Sequence, residues 1–186
     1  MMMQNEQLLL RAPEPEDLDL LYAWENDPNG WENGITLAPI SRFSIREHIL
    51  EAGKNIYENG QTRLIIELKS DHKPIGVVDL FDFDPHHKRA GVGILIDVAY
   101  RRKGMAKKAL QLLEEYAFNH LILNQLYCLI SENNLGSKRL FESVGFQQSG
   151  LLKNWINRAG HHQSVVIYQC LASDFRSGTA STSTPI

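Results

Sequence analysis

The spacing of hydrophobic residues divides the chain into segments of helical and of strand character. Leu8–Arg11 is a short apolar run that predicts a strand, and residues 13–26 predict a helix because apolar residues recur at the i, i+3, i+4 spacing. A second helix is predicted over residues 44–57, with Ser44 as its N-cap and Glu47 completing a capping box. The first third of the chain is therefore expected to supply one strand and two helices.

The period then changes to two, which predicts a run of strands. Residues 63–68 and 76–83 alternate as the two arms of a hairpin, and residues 89–98 form a further strand that contains Gly91 and Gly93. The remaining elements are a helix, a strand, a helix and two closing strands, predicted at residues 105–120, 125–131, 134–144, 146–152 and 164–171.

This order of elements predicts an α/β domain in which a mixed sheet carries helices on its faces. Neither a linker nor an internal repeat divides the chain, so residues 1–176 are expected to form a single domain. Residues 177–186 are almost all Ser, Thr, Gly and Ala, a composition that buries too little apolar area to order a chain. We expect this tail to be disordered.

The overall charge narrows the classes of partner. Nineteen Lys and Arg against 22 Asp and Glu give a net charge of −3, which disfavours a general nucleic-acid-binding protein. Cys128 and Cys170 lie in apolar runs and are expected to be reduced core residues. The sequence contains neither an apolar stretch of about 18 residues nor a signal-peptide pattern. These features predict a cytoplasmic protein that binds neither nucleic acid nor membrane.

A basic turn between a predicted strand and a predicted helix departs from this acidic average. Five of the eight residues from 101 to 108 are Lys or Arg, and Gly104 stands just before the helix. Unpaired N–H groups at a helix N-terminus carry a partial positive charge that suits a pyrophosphate. The P-loop and dinucleotide-binding motifs are both absent. The turn is therefore either an anion site or an ordinary solvated basic surface.

Two runs of the sequence resemble the signatures of the GNAT superfamily of N-acetyltransferases. Residues 94–106, with Arg101, Gly104 and Ala106 in the order R-x-x-G-x-A, look like its acetyl-CoA-binding motif. Residues 133–146 are similar to its second signature, N-x-x-[SA] followed by a helix and a Gly-Phe pair. Within the superfamily, the branch of ribosomal-protein and spermidine N-acetyltransferases is the most similar.

The resemblance implies both a fold and a reaction. The fold is α/β (α+β), a mixed, mostly antiparallel sheet of about six to seven strands with helices on both faces. The reaction transfers the acetyl group of acetyl-CoA, a cosubstrate, to a primary amine, which could be a polyamine, a protein N-terminus or another small amine. The alternative is a GNAT-fold module that binds acyl-CoA or a partner without turnover. The chain could also form a homo-oligomer.

A metal is not expected. The histidine pairs at 86–87 and 161–162 are adjacent in sequence, so their side chains point to opposite faces of an extended chain and chelate poorly.

The resemblance also assigns residues to the cosubstrate. The pantetheine arm pairs like a β-strand, and a splay between the strand ending near Asp97 and the strand beginning at Gln125 would leave it an open edge. The pyrophosphate is assigned to the basic turn and the first turn of the following helix. The cofactor-binding residues implied in this way are Leu95, Ile96, Asp97, Arg101, Arg102, Lys103, Gly104, Met105, Ala106, Lys107 and Asn134.

Two positions depart from the family's catalytic pattern. Many relatives carry a tyrosine that protonates the departing sulfur where this chain has Phe141, so Ser137, one helical turn earlier, is the candidate acid. Relatives often carry a glutamate base where this chain has Gly91, so the candidate bases are Asp79, Asp82 and Asp84 of the third strand and Glu32, with Asp82 as the first choice. For Ser137 the alternative is a hydroxyl that satisfies a carbonyl in its own helix.

Further carboxylates are candidates for recognition of the amine. The strand alternation places Asp82 and Asp84 on one face and Asp79 on the other, and Glu32 lies in the loop after the first helix. If Asp82, Asp84 and Glu32 cluster, they would attract a cationic substrate, so Glu32 and Asp84 are candidate substrate-binding residues. Solvated surface acids are the other interpretation.

Overall fold

Seven strands form one sheet in the computed structural model, which describes residues 3–27, 38–158 and 160–180. Their order across the sheet is β1-β2-β3-β4-β5-β7-β6, and every neighbouring pair is antiparallel except β4 and β5. The mixed, mostly antiparallel sheet is therefore confirmed. The strands are β1 Leu8–Arg11, β2 Thr62–Leu68, β3 Lys73–Asp84, β4 Arg89–Ile96, β5 Gln125–Ser131, β6 Gln147–Arg158 and β7 His161–Leu171.

Helices connect the strands at the places that the apolar spacing indicates. A 3-10 turn precedes the first helix, and a single π turn, Tyr116–His120, extends the fourth. The helices are α1 Leu18–Glu25, α2 Arg42–Glu51, α3 Ile56–Asn59, α4 Met105–Glu115, α5 Leu135–Glu142 and α6 Ala172–Ala180.

The predicted second helix is wrong at its start and at its end. Ser41 rather than Ser44 is the N-cap, because the Ser41 hydroxyl accepts the backbone N–H of Ser44 at 3.0 Å. This earlier start places Ile45 and Ile49 on one buried face, four residues apart. The helix also stops before residue 57, because the Asn55 side chain caps a separate helix, α3.

Apolar side chains cover both faces of the sheet. Ile65 and Val77 pack under α1 and α2, together with Leu21 and Trp24. On the opposite face α4, α5 and α6 cover the larger cluster, and both cysteines lie in it, buried and unpaired. Burial raises the pKa of the Cys128 thiol, as expected of an inert core residue.

The last helix reaches into the segment predicted to be disordered. Residues 177–180 belong to α6, which is held from its first turns because Ala172 is buried and the Phe175 ring lies 5.0 Å from that of Phe118. The disorder of the tail stays a prediction, and residues 181–186 lie outside the described part of the chain. Among the described helices, none is long and apolar enough to cross a membrane.

One carboxyl group lies inside the larger apolar cluster. Glu114 on α4 is only 3% exposed, and its Oε1 atom has no hydrogen-bond partner within the described residues. Burial, and secondarily the nearby charge of Glu115, raises the pKa of Glu114 to about 8. The folded protein therefore holds this carboxyl protonated at neutral pH.

We expect Glu114→Gln to make the protein more stable at pH 8 and to flatten its pH dependence. Between the ordinary carboxyl pKa of 4.5 and about 8, the unfolded chain ionises at this position while the folded chain does not, so wild-type stability falls as pH rises through this window. At pH 8 the free energy of unfolding of Glu114→Gln should exceed that of the wild type by an amount on the order of a few kcal/mol. Urea unfolding at pH 5 and pH 8 measures it, with Glu115→Gln, which removes the exposed neighbouring carboxylate, as the control. Equal pH slopes for wild type and Glu114→Gln would contradict the assignment.

Candidate active site

A gap opens in the sheet where its two parallel strands separate. β4 and β5 pair only at Arg89–Gly91 with Gln125–Tyr127. Beyond these three pairs β4 stays with β3 and β5 stays with β7. The splay expected between these strands is therefore present, and its closed end lies at Gly91 and Tyr127.

The backbone of β4 presents alternate residues to this gap. Just beyond the end of β4, the Asp97 N–H donates to the Ile75 carbonyl of β3 at 2.9 Å, so Asp97 and Leu95 direct their backbone groups towards β3. By the same alternation Ile94 and Ile96 direct theirs into the gap. Arg101 Nε donates to the Ile96 carbonyl at 2.9 Å, as this orientation requires. Of the three strand residues predicted to bind the pantetheine arm, only Ile96 has its backbone on the open edge.

Asp97 instead connects the end of β4 to the first helix. Its carboxylate accepts the Trp24 indole N–H at 3.0 Å and the Ala99 backbone N–H at 2.9 Å. These two hydrogen bonds, the Trp24 bond foremost, lower the pKa of Asp97. Beside this contact is a cavity of about 210 Å³, lined in part by Trp24, Leu95, Ile96 and Arg101. Asp97 and Leu95 thus shape the mouth of the gap with their side chains.

The basic turn surrounds the N-terminus of α4. Gly104 is the N-cap residue, with a φ of 77°, a left-handed conformation that glycine adopts without strain. No side chain caps the helix, so its first N–H groups face outwards. A Cβ added at Gly104 would meet no protein atom within 4 Å, so the space in front of this helix end is open.

The cofactor-binding residues predicted in this turn are brought together. The four basic side chains are exposed around the helix end, and Lys103 lies 5.1 Å from the ring centroid of Tyr100. Met105 and Ala106 turn inwards and pack against the core while their backbone remains in the first helical turn. The combination of an uncapped helix end, a glycine and surrounding cations fits a pyrophosphate. The four basic residues are Arg101, Arg102, Lys103 and Lys107.

The second signature forms the start of α5. Asn134 is the N-cap, and its Oδ1 accepts the Ser137 N–H at 3.0 Å. The Asn134 side chain therefore caps α5 and is not free to bind a cofactor through that hydrogen bond. Ser137 is half-buried, and its hydroxyl makes no hydrogen bond among the described residues. The alternative that it satisfies a helix carbonyl is therefore not realised. Phe141 is 4% exposed and packs edge-on against Phe146, at 5.0 Å between ring centroids.

The predicted acidic residues have different surroundings. Asp84 closes the β3–β4 turn, where it accepts the His87 N–H at 2.8 Å and Arg89 at 3.3 Å, and the His87 bond chiefly lowers its pKa. Asp79 is held by both guanidinium donors of Arg63, at 2.8 and 3.0 Å. Glu32 lies outside the described residues.

Asp82 departs from the alternation predicted for its strand. Its φ is 47°, and the β3–β4 register shifts between Phe81 and Asp84, so the strand is bulged at this point. The prediction that Asp82 and Asp84 share one face of a regular strand is therefore wrong. The exposed Asp82 carboxylate accepts the hydroxyl of Tyr127 at 3.0 Å.

Tyr127 lies at the closed end of the gap and was not singled out from the sequence. Burial and the hydrogen bond to Asp82 raise its pKa to about 12, so it stays neutral and donates to the carboxylate. Its position in an apolar run gives no sign of this role, which depends on the register of β4 against β5. Among the described residues, no group of three or more His, Cys, Asp or Glu side chains is placed to hold a metal ion.

Comparisons with known proteins agree with this geometry. Residues 7–147 match the family model described as an acetyltransferase (GNAT) domain. A spermidine N(1)-acetyltransferase of Vibrio cholerae is 28% identical over 171 residues, covering 92% of this chain and 96% of the relative. One from Escherichia coli is 27% identical over 157 residues, covering 84% and 82%. The crystal structure of a Vibrio cholerae spermidine N-acetyltransferase in complex with CoA and spermine superposes with a TM-score of 0.83 at 27% identity, covering 92% of this chain and 99% of that one.

Two glycines separate a backbone effect from a binding effect. Gly60 and Gly104 both have left-handed φ angles, 68° and 77°, and a Cβ at either meets no protein atom within 4 Å. We expect Gly60→Ala and Gly104→Ala to lower stability alike, by about 1 kcal/mol each. Only Gly104→Ala should weaken binding of CoA, by roughly tenfold, because its Cβ enters the space in front of α4. Urea unfolding and calorimetric titration with CoA measure the two effects, and equal CoA affinities for the two variants would exclude this helix end as the phosphate site.

Proposed function

Because the chain belongs to the GNAT acetyltransferase family and is an acetyl-CoA-dependent N-acetyltransferase, we propose that its acceptor is an aliphatic polyamine such as spermidine. The observation that carries the proposal is the exposed Asp82 carboxylate at the closed end of the β4–β5 gap. A carboxylate at that place attracts a cationic amine towards the reacting centre. The similarity to spermidine acetyltransferases over nearly the whole chain supports the same acceptor class.

The cosubstrate is held along one line from the basic turn into the gap. The first-turn N–H groups of α4 bind the pyrophosphate, and Arg102, Lys103 and Lys107 add charge around it. The open edge of β4 at Ile94 and Ile96 pairs with the amides of the pantetheine arm. The Ile96 carbonyl can pair with a pantetheine amide only after Arg101 gives up its hydrogen bond to that carbonyl. Arg101 is then free to join the other cations of the turn.

The chain's own groups serve the chemistry in three ways. Acetyl-CoA supplies the acyl carbon, to which the amine nitrogen bonds as the bond to sulfur breaks. A backbone N–H on the open edge of β4 stabilises the developing oxyanion, as preorganised donors do. An alkylammonium has a pKa of about 10.4, so it must lose a proton before it attacks. Asp82 accepts that proton and, being exposed, passes it to water.

Ser137 protonates the departing sulfur, and the second proton, which the nitrogen loses as the amide forms, returns through water to the Ser137 hydroxyl. The Ser137 hydroxyl is half-buried and makes no hydrogen bond to any of the described residues, whereas Phe141 is packed in the core and carries no proton to donate.

Four expectations stay predictions: the cytoplasmic location, the homo-oligomer, the absence of nucleic-acid partners and the division of the chain at residue 176.

We expect purified protein to release free thiol from acetyl-CoA with spermidine or spermine and to prefer them over other amines. The panel contains these two polyamines, butylamine, free amino acids and short peptides with a free N-terminus. An amino acid carries a carboxylate that Asp82 repels, and a peptide N-terminus lacks the second cation of a polyamine. A preference for peptides would contradict the polyamine proposal and would favour a protein N-terminus as acceptor.

We expect Ser137→Ala to lower kcat between about tenfold and a hundredfold, the range of a modest general acid, and to leave the KM for acetyl-CoA unchanged. Ser143→Ala is the matched control. Ser143 lies just beyond the other end of α5, where its hydroxyl donates to the Leu140 carbonyl at 2.7 Å. If both variants keep the wild-type kcat, water rather than Ser137 protonates the thiolate.

A further inference from the structure

Two aromatic rings meet above a glycine at the closed end of the gap. Phe81 on β3, Gly91 on β4 and Tyr127 on β5 occupy one row across three neighbouring strands. The rings of Phe81 and Tyr127 have centroids 6.1 Å apart and stand nearly perpendicular, at 79°. A Cβ at Gly91 would lie 2.3 Å from the Phe81 ring, so the arrangement requires a glycine between the rings.

The Asp82 carboxylate completes this row from the neighbouring bulge. Because the bulge turns Asp82 out of the strand's alternation, its side chain reaches past β4 to the Tyr127 hydroxyl. A left-handed φ is uncommon outside glycine, but aspartate and asparagine adopt it more readily than most residues, so the bulge can hold an aspartate here. The Tyr127 bond occupies one carboxylate oxygen and leaves the other directed at solvent.

The other two aspartates of this strand are already engaged. Asp79 is paired with Arg63 and Asp84 with the turn that follows β3, whereas Asp82 has no basic partner among the described residues. Phe81 also lines a cavity of about 250 Å³ between α2 and the strands β2 and β3. An extended chain bound beside the rings therefore has room to continue away from the gap.

We propose that Phe81, Asp82 and Tyr127, the apex cluster, bind the reacting end of a linear aliphatic ammonium and position it at the closed end of the gap. The inference rests on the proposed function and names the residues that select the acceptor. A carboxylate beside aromatic rings is a binding site for organic cations, because the ring faces attract positive charge and the methylene groups pack against them. The cluster lies at the closed end of the gap, where a carboxylate from β3 meets aromatic rings from β3 and β5.

Tyr127→Phe tests the positioning role of the hydroxyl. The variant keeps the ring and its contact with Phe81 but releases Asp82, so the KM for spermidine should rise about five- to tenfold. The KM for acetyl-CoA should not change. Tyr57→Phe is the matched control, since Tyr57 also packs edge-on against a phenylalanine, Phe83, at 5.0 Å and is exposed on the surface.

Asp82→Asn and Gly91→Ala test the charge and the ring geometry separately. Asparagine tolerates the left-handed backbone at position 82, so that variant should fold, raise the KM for spermidine tenfold or more and reduce its dependence on ionic strength. Gly91→Ala changes none of the three residues of the cluster, but its Cβ displaces the Phe81 ring, and it should also raise the KM for spermidine. Asp71→Asn, in the exposed β2–β3 turn, is the control for the loss of one surface charge.

Binding of spermine to the CoA-saturated protein, measured by calorimetry, gives a readout apart from turnover. Weaker binding in the three cluster variants, with wild-type binding in both controls, supports the inference. If the wild-type protein acetylates spermidine and all three variants keep the wild-type KM for spermidine and affinity for spermine, the inference is overturned but the proposed function stands. Wild-type protein that acetylates no aliphatic amine would overturn both.

Discussion

The site depends on a parallel pairing that stops after three residue pairs. β4 and β5 begin side by side, but each keeps its antiparallel partner on the other side, so the two strands separate without either one fraying. The edge of β4 beyond Gly91 consequently presents backbone groups that need hydrogen-bond partners. A ligand built from amides satisfies those groups as another strand would. The gap is thus both an interruption of the sheet and the reason that the sheet can bind an extended amide chain.

Buried and half-buried charges hold the elements around this gap. The Trp24 indole bonds to Asp97 at the end of β4, and Arg63 on β2 joins Glu25 of α1 to Asp79 of β3. These contacts fix α1 over one face of the sheet, beside the mouth of the gap. Within the described part of the chain, Asp79 and Asp84 therefore have structural partners, and Asp82 is the candidate acid that the bulge turns outwards.

Local patterns predicted the elements well because they arise from short-range physics. Alternation and apolar spacing predicted the strands and α4, and the basic glycine turn predicted the uncapped helix end at Gly104. What could not be predicted depends on contacts between distant segments. The helix begins after Ser41 rather than Ser44, and this start goes with the burial of Ile45 against other elements. The bulge at Asp82 depends on the neighbouring strands of the sheet. The role of Tyr127 requires the parallel register, which no local pattern encodes.

The glycine on β4 links these observations. A glutamate at position 91 would occupy the volume of the Phe81 ring, so the chain can have either a carboxylate on β4 or an aromatic pair above it. The chain has the aromatic pair, Phe81 and Tyr127, and the carboxylate at this end of the gap is that of Asp82, which comes from the bulge in β3. Gly91, which leaves room for the Phe81 ring, and the left-handed backbone at Asp82, which turns the carboxylate outwards, therefore act together in building this end of the gap. The proposed apex cluster thus combines rings with an oriented carboxylate, the chemistry that suits an acceptor with both a positive charge and a hydrocarbon chain.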